Sequence, residues 1–271
     1  MNPLSYLLLF TACLVAAAPE VVPRHRSDCP SVWGKVAKDL KQTLVGNDGR
    51  LTDNGRASVR LTFHDCFPAA CDGSIILANE CTDRPENAQM IPICGILSQK
   101  ASDFEVGVAD IIQLAGALSI RAAGGPSIGF LAGRQDSSTA NPAGQLPDQN
   151  DPADKIIGDF RAKGFSPTEL VGLLGAHTVA KNKAGQPLDS TDAQWDNVFY
   201  SETEDHRAPA TLNSDKAVSN ASDTRRTWSN FAGDSGAWLN TFIPAMQKMV
   251  TMGNDAGSLT DCSSVITDAF H

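Results

Sequence analysis

After its N-terminal stretch, the sequence has no second run long and apolar enough to anchor it in a membrane. It has no internal repeat and no sustained apolar–polar alternation, so the expected fold class is mainly α. Positive charge is scarce: 22 Lys and Arg stand against 31 Asp and Glu, a net charge of −9. Such a balance favours solubility and argues against nucleic acid or an anionic membrane as partner. Histidine is sparse too, at positions 25, 64, 177, 206 and 271 only, so each one in an ordered-looking setting is informative.

What is present begins with Met1 to Phe10 running into Thr11–Ala18, a short apolar run followed by small residues. That reads as a secretory leader over 1–18 with cleavage near Ala18, although no lysine precedes the run. Val22-Pro23-Arg24-His25-Arg26 adds a basic processing signal, giving a possible propeptide over 19–28 and a mature chain over 29–271. Loss of Cys13 with the leader leaves Cys29, Cys66, Cys71, Cys81, Cys94 and Cys262. An even count in a secreted chain reads as three disulfides, and six cysteines allow about fifteen pairings. Asn220-Ala221-Ser222 is a glycosylation sequon.

Along the chain, a helix is expected over Pro30–Val45, with Val32, Val36, Leu40 and Leu44 on one stripe, and a second over Asp53–Cys66. Residues 66–92, rich in Cys, Pro, Gly, Asp and Asn, read as a cross-linked loop. Ser102-Asp103-Phe104-Glu105 reads as a capping box opening a long helix through Ile120. Residues 126–152 read as loop, with a short strand at Ile128–Leu131, and Asp154–Lys163 as an amphipathic helix. Ser166-Pro167-Thr168-Glu169 is another capping box, opening a helix that ends at His177. Residues 181–222 are turn-rich; helix resumes over Thr224–Met252, broken near Gly233–Gly236 and at Pro244, and a polar tail follows.

The stretch with most chemistry is Arg60-Leu61-Thr62-Phe63-His64-Asp65-Cys66. On a helix, Arg60 and His64 lie at i and i+4 on one face. Facing a cavity, such a pair can move a proton and stabilise the charge that move creates. A surface helix can carry the same pair by chance. His177, ending an apolar helix, reads equally well as a core or capping histidine until the rest of the chain is considered.

Taken together, Arg60–Cys66, Cys71-Asp72-Gly73-Ser74, Gly175-Ala176-His177-Thr178 and Leu212-Asn213-Ser214-Asp215 resemble, in order, motifs of the plant/fungal/bacterial haem peroxidase superfamily. The likeness is closest to secreted fungal peroxidases and covers roughly residues 29–250. It implies haem b between two helical lobes, a distal one over about 29–145 and a proximal one over about 146–255. His177 would be the axial ligand, with Asp215 on its other ring nitrogen. His64 would carry the proton of hydrogen peroxide, Arg60 would stabilise the developing charge and Phe63 would wall the haem. Asn87 would orient His64 and raise its basicity, and Pro147 would line the haem edge. No C-x-x-C-H motif occurs, so the haem is expected to be non-covalent.

The resemblance also implies two calcium ions, each held by oxygens. The distal set is Asp65, Pro68, Ala70, Asp72 and Ser74; the proximal set is Thr178, Asp189, Thr191, Gln194 and Asp196. It suggests the pairs Cys66–Cys71, Cys81–Cys94 and Cys29–Cys262. A manganese site of the family would fall at Asp53, Ala57 and Lys183, and an exposed oxidising tryptophan at Gly172. Neither set of side chains is suitable, which leaves a monomeric peroxidase oxidising small phenolic donors near the haem edge. Trp33, Trp195, Trp228 and Trp238 read as core. Two other functions fit some of the same residues: a calcium- or haem-binding protein without turnover, and a thiol hydrolase built on Cys66, His177 and Asp215.

Overall fold

The structure is a computed structural model and describes residues 28–271. The expected leader, the basic segment 22–26 and nearly all of the expected propeptide lie outside the described residues.

The chain is mainly α, as expected. The helices are α1 (Val32–Leu44), α2 (Asp53–Cys66), the short α3 (Ser74–Leu77) and α4 (Glu80–Asp83), then α5 (Ile91–Phe104) and α6 (Val108–Ala122). After a long loop come α7 (Ala153–Ala162), α8 (Pro167–Leu174), α9 (Val198–Glu204), α10 (Asn213–Asn220), α11 (Arg225–Gly233), α12 (Ser235–Met249) and α13 (Ser264–Asp268). Strand β1 (Leu131–Ala132) pairs antiparallel with β2 (Thr260–Asp261).

Two local choices place the first candidate site. Thr52 caps α2 by accepting from Gly55 N at 3.1 Å, and Asp53 follows in the first turn, where an acid suits the helix dipole. The helix therefore starts in the register that sets Arg60 and His64 on one face. The second choice is the helix beneath: every residue of α6 from Val108 to Ile120 is buried. It packs against α2 so closely that a Cβ on Gly116 would lie 2.1 Å from Thr62 Oγ1. Elsewhere α8 packs on α12, and α11 packs on both α9 and α12. The buried Arg134 joins these regions: its Nη1 donates to Asp110 Oδ1 of α6 at 2.8 Å and its Nη2 to the Val250 carbonyl just past α12 at 2.7 Å.

Several elements depart from the sequence reading. Ser102 opens no helix; it lies in the last turn of α5, and Glu105 breaks the chain with φ 53°. The N-terminus of α6 is capped from outside, by Asp136, which accepts from Val108 N and Ala109 N at 2.8 Å each. That tertiary cap has no local sequence signature. The expected loop 66–92 contains α3, α4, a 3₁₀ turn over Pro85–Met90 and the start of α5. The strand falls at Leu131–Ala132, short of the expected Ile128 start, and the helix before His177 ends at Leu174, where a 3₁₀ turn (Gly175–Val179) takes over. The turn-rich segment 181–222 holds α9 and α10, and the polar tail holds α13. Pro244 sits inside α12 without ending it. A proline forfeits one backbone bond, and a helix packed along a buried face tolerates that loss.

The Gly116 contact gives a stability prediction. Gly116→Ala must push Thr62 away and should destabilise the protein by about 1–3 kcal/mol, with the denaturant m-value unchanged. Equal midpoints for variant and parent would show that α2 and α6 can separate freely.

Candidate active site

Helix α2 carries Arg60, Phe63, His64 and Asp65 into one region. Arg60 Nε donates to His64 Nε2 at 3.1 Å. A guanidinium has no acceptor, so His64 Nε2 is the lone-pair nitrogen and Nδ1 carries the hydrogen. Nδ1 then donates to Asn87 Oδ1 at 2.7 Å, while Asn87 Nδ2 donates to the Glu80 carbonyl at 3.0 Å. His64 is buried, and burial, helped by the Arg60 charge and opposed by Asn87, pushes its pKa down to about 3. It is therefore a neutral base at ordinary pH. Burial also lowers the Arg60 pKa, with Glu86 opposing, but a guanidinium keeps its proton. Phe63 is partly buried, its ring 4.8 Å from Phe67 and 6.1 Å from Phe160 in a stacked arrangement.

The second histidine sits in the 3₁₀ turn. His177 Nδ1 donates to Asp215 Oδ2 at 3.0 Å and approaches Oδ1 at 3.2 Å. Asp215 lies in the first turn of α10 and is fully buried. The turn bearing His177 fits against the aromatic core only because position 175 is glycine: a Cβ there would lie 2.3 Å from Trp238 Nε1 and 2.6 Å from the Tyr200 hydroxyl. The His177 side chain keeps 29% of its surface exposed, and its ring meets Phe199 edge-on at 5.6 Å.

The two imidazoles thus differ. His64 has both nitrogens engaged within the protein, whereas His177 has Nδ1 held by a buried carboxylate and shows hydrogen bonds on that nitrogen alone. A neutral imidazole held in this way presents Nε2 as a metal ligand. The donor chemistry of His177 fits a haem iron on Nε2.

Asp65, next to His64, is wholly buried. Its Oδ2 accepts from Gly73 N at 3.2 Å and Gln113 Nε2 at 3.4 Å, while Oδ1 has no partner. A buried carboxylate oxygen without a partner costs several kcal/mol unless a cation meets it. Asp72 and Ser74 lie in the same loop, where Asp72 Oδ1 accepts from Ser74 N at 3.0 Å. Asn141 reaches in from the long loop, its Nδ2 donating to Ser74 Oγ at 2.9 Å and to the Asp65 carbonyl at 3.3 Å. The Pro68 carbonyl is different: it accepts from Lys163 Nζ at 2.6 Å, so an ammonium stands on an oxygen that the resemblance gives to calcium.

Next to His177 all five expected positions converge. Thr178 Oγ1 lies 2.6 Å from Asp189 Oδ2, 3.3 Å from the Gln194 carbonyl and 3.5 Å from Asp196 Oδ1. Thr191 Oγ1 lies 3.1 Å from Asp196 Oδ1. One hydroxyl proton cannot serve three acceptors, so this cluster has more lone pairs than hydrogens. Burial, with Asp196 and Glu202 adding to it and Thr178 opposing, pushes the Asp189 pKa up to about 7. Among the described residues no three His, Cys, Asp or Glu side chains form a metal cluster. Both loops instead pair two carboxylates with hydroxyl and carbonyl oxygens, a donor set suited to calcium rather than to zinc.

The positions expected for specialised oxidation are otherwise occupied. Asp53 Oδ1 is paired with Lys181 Nζ at 2.8 Å, and Lys181 holds the Asp53 carboxyl below the usual range. Ala57 offers no oxygen from its side chain, and Lys183 is exposed. A Cβ on Gly172 would already lie 2.9 Å from Thr241 Cγ2. The four tryptophans are buried, Trp195 stacked on Trp238 and Trp33 edge-on to Phe130. Pro147 is half-buried, and its loop is tied to α10 where Ser214 N donates to the Gln149 carbonyl at 2.9 Å. No hydrogen bond ties Pro147 to either histidine.

A family model described as "Peroxidase" matches residues 35–234. The chain belongs to the peroxidase family. It is 28% identical to Peroxidase 22.3 of Oryza sativa subsp. japonica, over 92% of this chain and 91% of that protein. It is 29% identical to Manganese peroxidase 3 of Phlebia radiata, over 97% and 86% of the two chains. It is 32% identical to Low-redox potential peroxidase of Taiwanofungus camphoratus, over 86% and 77%. It is a haem peroxidase that uses hydrogen peroxide to oxidise organic donors, a calcium-binding one by its class. In this peroxidase Cys66 is bonded to Cys71, Cys81 to Cys94 and Cys29 to Cys262. A thiolate nucleophile at Cys66 is therefore not available, which removes the hydrolase reading.

Sequence reasoning missed Glu80, Asn141, Lys163, Glu86 and Gln89, all of which touch the site. Glu80 and Glu86 reach it through their backbone carbonyls, which leave no trace in residue type.

Chelation tests the oxygen clusters. Cations that bind only the folded state stabilise it by about 2.7 kcal/mol per site at a hundredfold excess over Kd. Thermal scans of the holoprotein should therefore show a lower Tm after EGTA, restored by added calcium. An unchanged Tm with calcium demonstrably removed would count against both sites.

Proposed function

We propose that His64 and Arg60 divide the work of peroxide cleavage, and that the donors oxidised are small phenols and related aromatics rather than manganese. The observation that carries the first half is the hydrogen-bond chain Asn87–His64–Arg60, which puts the lone pair on His64 Nε2, facing the Arg60 cation that a bound peroxide would share it with.

Bound haem b supplies the redox chemistry: two oxidising equivalents taken from peroxide and returned singly to donors. His64 Nε2 takes the proton from the inner peroxide oxygen. The imidazolium so formed is held by Asn87, whose oxygen accepts from Nδ1 throughout. His64 then gives the proton to the outer oxygen as it leaves as water. The Arg60 guanidinium stabilises the negative charge that develops on that oxygen. His177 would hold the haem iron, and the Asp215 carboxylate on its Nδ1 would make it a stronger electron donor. Phe63 would wall the haem pocket, and Pro147 would line it where donors approach.

Two calcium ions would be held by Asp65, Asp72, Ser74 and the Ala70 carbonyl, and by Thr178, Asp189, Thr191, Asp196 and the Gln194 carbonyl; the Pro68 carbonyl, held by Lys163, would join the first set only by sharing its second lone pair. Residues 29–145 and 146–255 form the distal and proximal lobes. A secreted monomer is the reading that fits three disulfides, the net charge of −9 and the absence, among the described residues, of any helix long and apolar enough to cross a membrane. Asn220 is exposed and open to glycosylation.

His64→Leu should keep haem but slow reaction with peroxide by about a hundredfold to ten-thousandfold or more. In the parent the same stopped-flow rate should hold from neutral pH into the acid range and fall as pH drops through about 3, where His64 gains its proton. Equal rates for variant and parent would sink the assignment. Manganese should show no saturable oxidation while a phenol does, because the Asp53 carboxylate is bound to Lys181 and nothing replaces the other two acids. Saturation kinetics with manganese would overturn that reading.

A further inference from the structure

Arg60 has five N–H groups, and three of them are committed within the protein. Besides Nε on His64, Nη1 donates to Gln89 Oε1 at 2.7 Å and Nη2 to the Glu86 carbonyl at 3.0 Å. Gln89 is exposed, yet its other amide atom is also engaged: Nε2 donates to the Asn182 carbonyl at 3.0 Å. Asn182 lies five residues after His177 in the sequence. One surface side chain therefore spans from the distal arginine to the segment that follows the proximal histidine.

The receiving segment is braced. Lys181 pairs with Pro187 in a bridge, Asn182 N donates to the Gln186 carbonyl at 2.9 Å, and Asn182 Oδ1 accepts from both Ala184 N and Gln186 N at 2.9 Å. The Asn182 carbonyl is thus a fixed acceptor. Between a guanidinium that only donates and a carbonyl that only accepts, the bridging group must offer an acceptor at one end and a donor at the other. A primary amide does so in one orientation; reversed, it would set donor against donor and acceptor against acceptor. Asparagine is too short by one carbon to make the same span from the same backbone.

We propose that Gln89 is a positioning residue for peroxide cleavage: it anchors the Arg60 guanidinium to the braced turn at Asn182. This rests on the role given to Arg60 above. Loss of the bridge leaves Arg60 with the Glu86 carbonyl and His64 as its only protein partners, and its two uncommitted N–H groups lose a defined direction.

Fluoride reports on Arg60 independently of turnover, since it binds the ferric haem enzyme and accepts hydrogen bonds from distal donors. Gln89→Ala in the haem-loaded protein should weaken fluoride binding and slow the peroxide reaction by a similar factor, about three- to tenfold. Haem content and the KM for a phenol should stay as in the parent. Hydrogen exchange over residues 182–186 should quicken in the variant. Gln89→Glu supplies a signature that a merely structural role would not. Its carboxylate accepts from Arg60 but repels the Asn182 carbonyl, so it shows a deficit at neutral pH. A protonated carboxyl has one donor and one acceptor like the amide, so the variant-to-parent ratio should return towards one as pH falls through the introduced carboxyl's pKa, which the Arg60 charge holds below the free value of about 4.3. Changes under about twofold in Gln89→Ala, or tighter fluoride binding, overturn the proposal. A parent that loads haem but ignores peroxide overturns the mechanism beneath it instead.

Discussion

An imidazole can be a base or a metal ligand only if something else holds its second nitrogen. His64 and His177 both meet that demand at Nδ1, and the two holders differ in charge. Asn87 offers His64 a neutral oxygen at 2.7 Å, and Asp215 offers His177 a buried carboxylate at 3.0 Å. The neutral holder fixes the ring and partly offsets the burial and the Arg60 charge, which together push the His64 pKa down. The anionic holder pushes electron density into the ring, which suits an axial ligand. Much of the surrounding fold serves these two bonds: the cap at Thr52 sets the face of α2, the 3₁₀ turn at Pro85–Met90 delivers Asn87, and α10 delivers Asp215.

Each histidine is followed directly by a residue of an oxygen-rich loop, Asp65 after His64 and Thr178 after His177. The unpartnered Asp65 oxygen and the surplus of acceptors around Thr178 are costly features in a cation-free protein. A cation at each loop would convert that cost into rigidity at the point where each histidine leaves its helix or turn. The Cys66–Cys71 bond closes the distal loop independently. Lys163 on the Pro68 carbonyl shows that the distal loop is also held from α7, a contact of a kind calcium ligation alone would not require.

Charge around the presumed manganese positions points the same way as the missing acids. Asp53 is shared between Lys181 and Arg56, and Arg56 also meets Asp192 at 3.1 Å. A divalent cation would have to displace a lysine and would gain a single carboxylate. Similarity to a protein named manganese peroxidase therefore carries the family but not that substrate.

The sequence by itself carried the resemblance to the family, because its four motifs are local: helical spacing puts Arg60 and His64 on one face, and short intervals gather the acids and hydroxyls that follow each histidine. It also determined the capped start of α8, where Ser166 bonds to the amide three residues on. Its misreadings fall where the decisive partner is distant in the chain: α6 takes its cap from Asp136, α12 keeps Pro244, and the loop around Cys81 folds into short helices. Only the tertiary structure decided that His64 Nε2 carries the lone pair and accepts from Arg60, that Lys163 takes the Pro68 carbonyl, and that Gln89 joins Arg60 to Asn182. The physical reason is range. Caps and helical faces are set by neighbours within one or two turns, whereas tautomers, orphaned oxygens and bridging amides are set by whatever packing brings alongside.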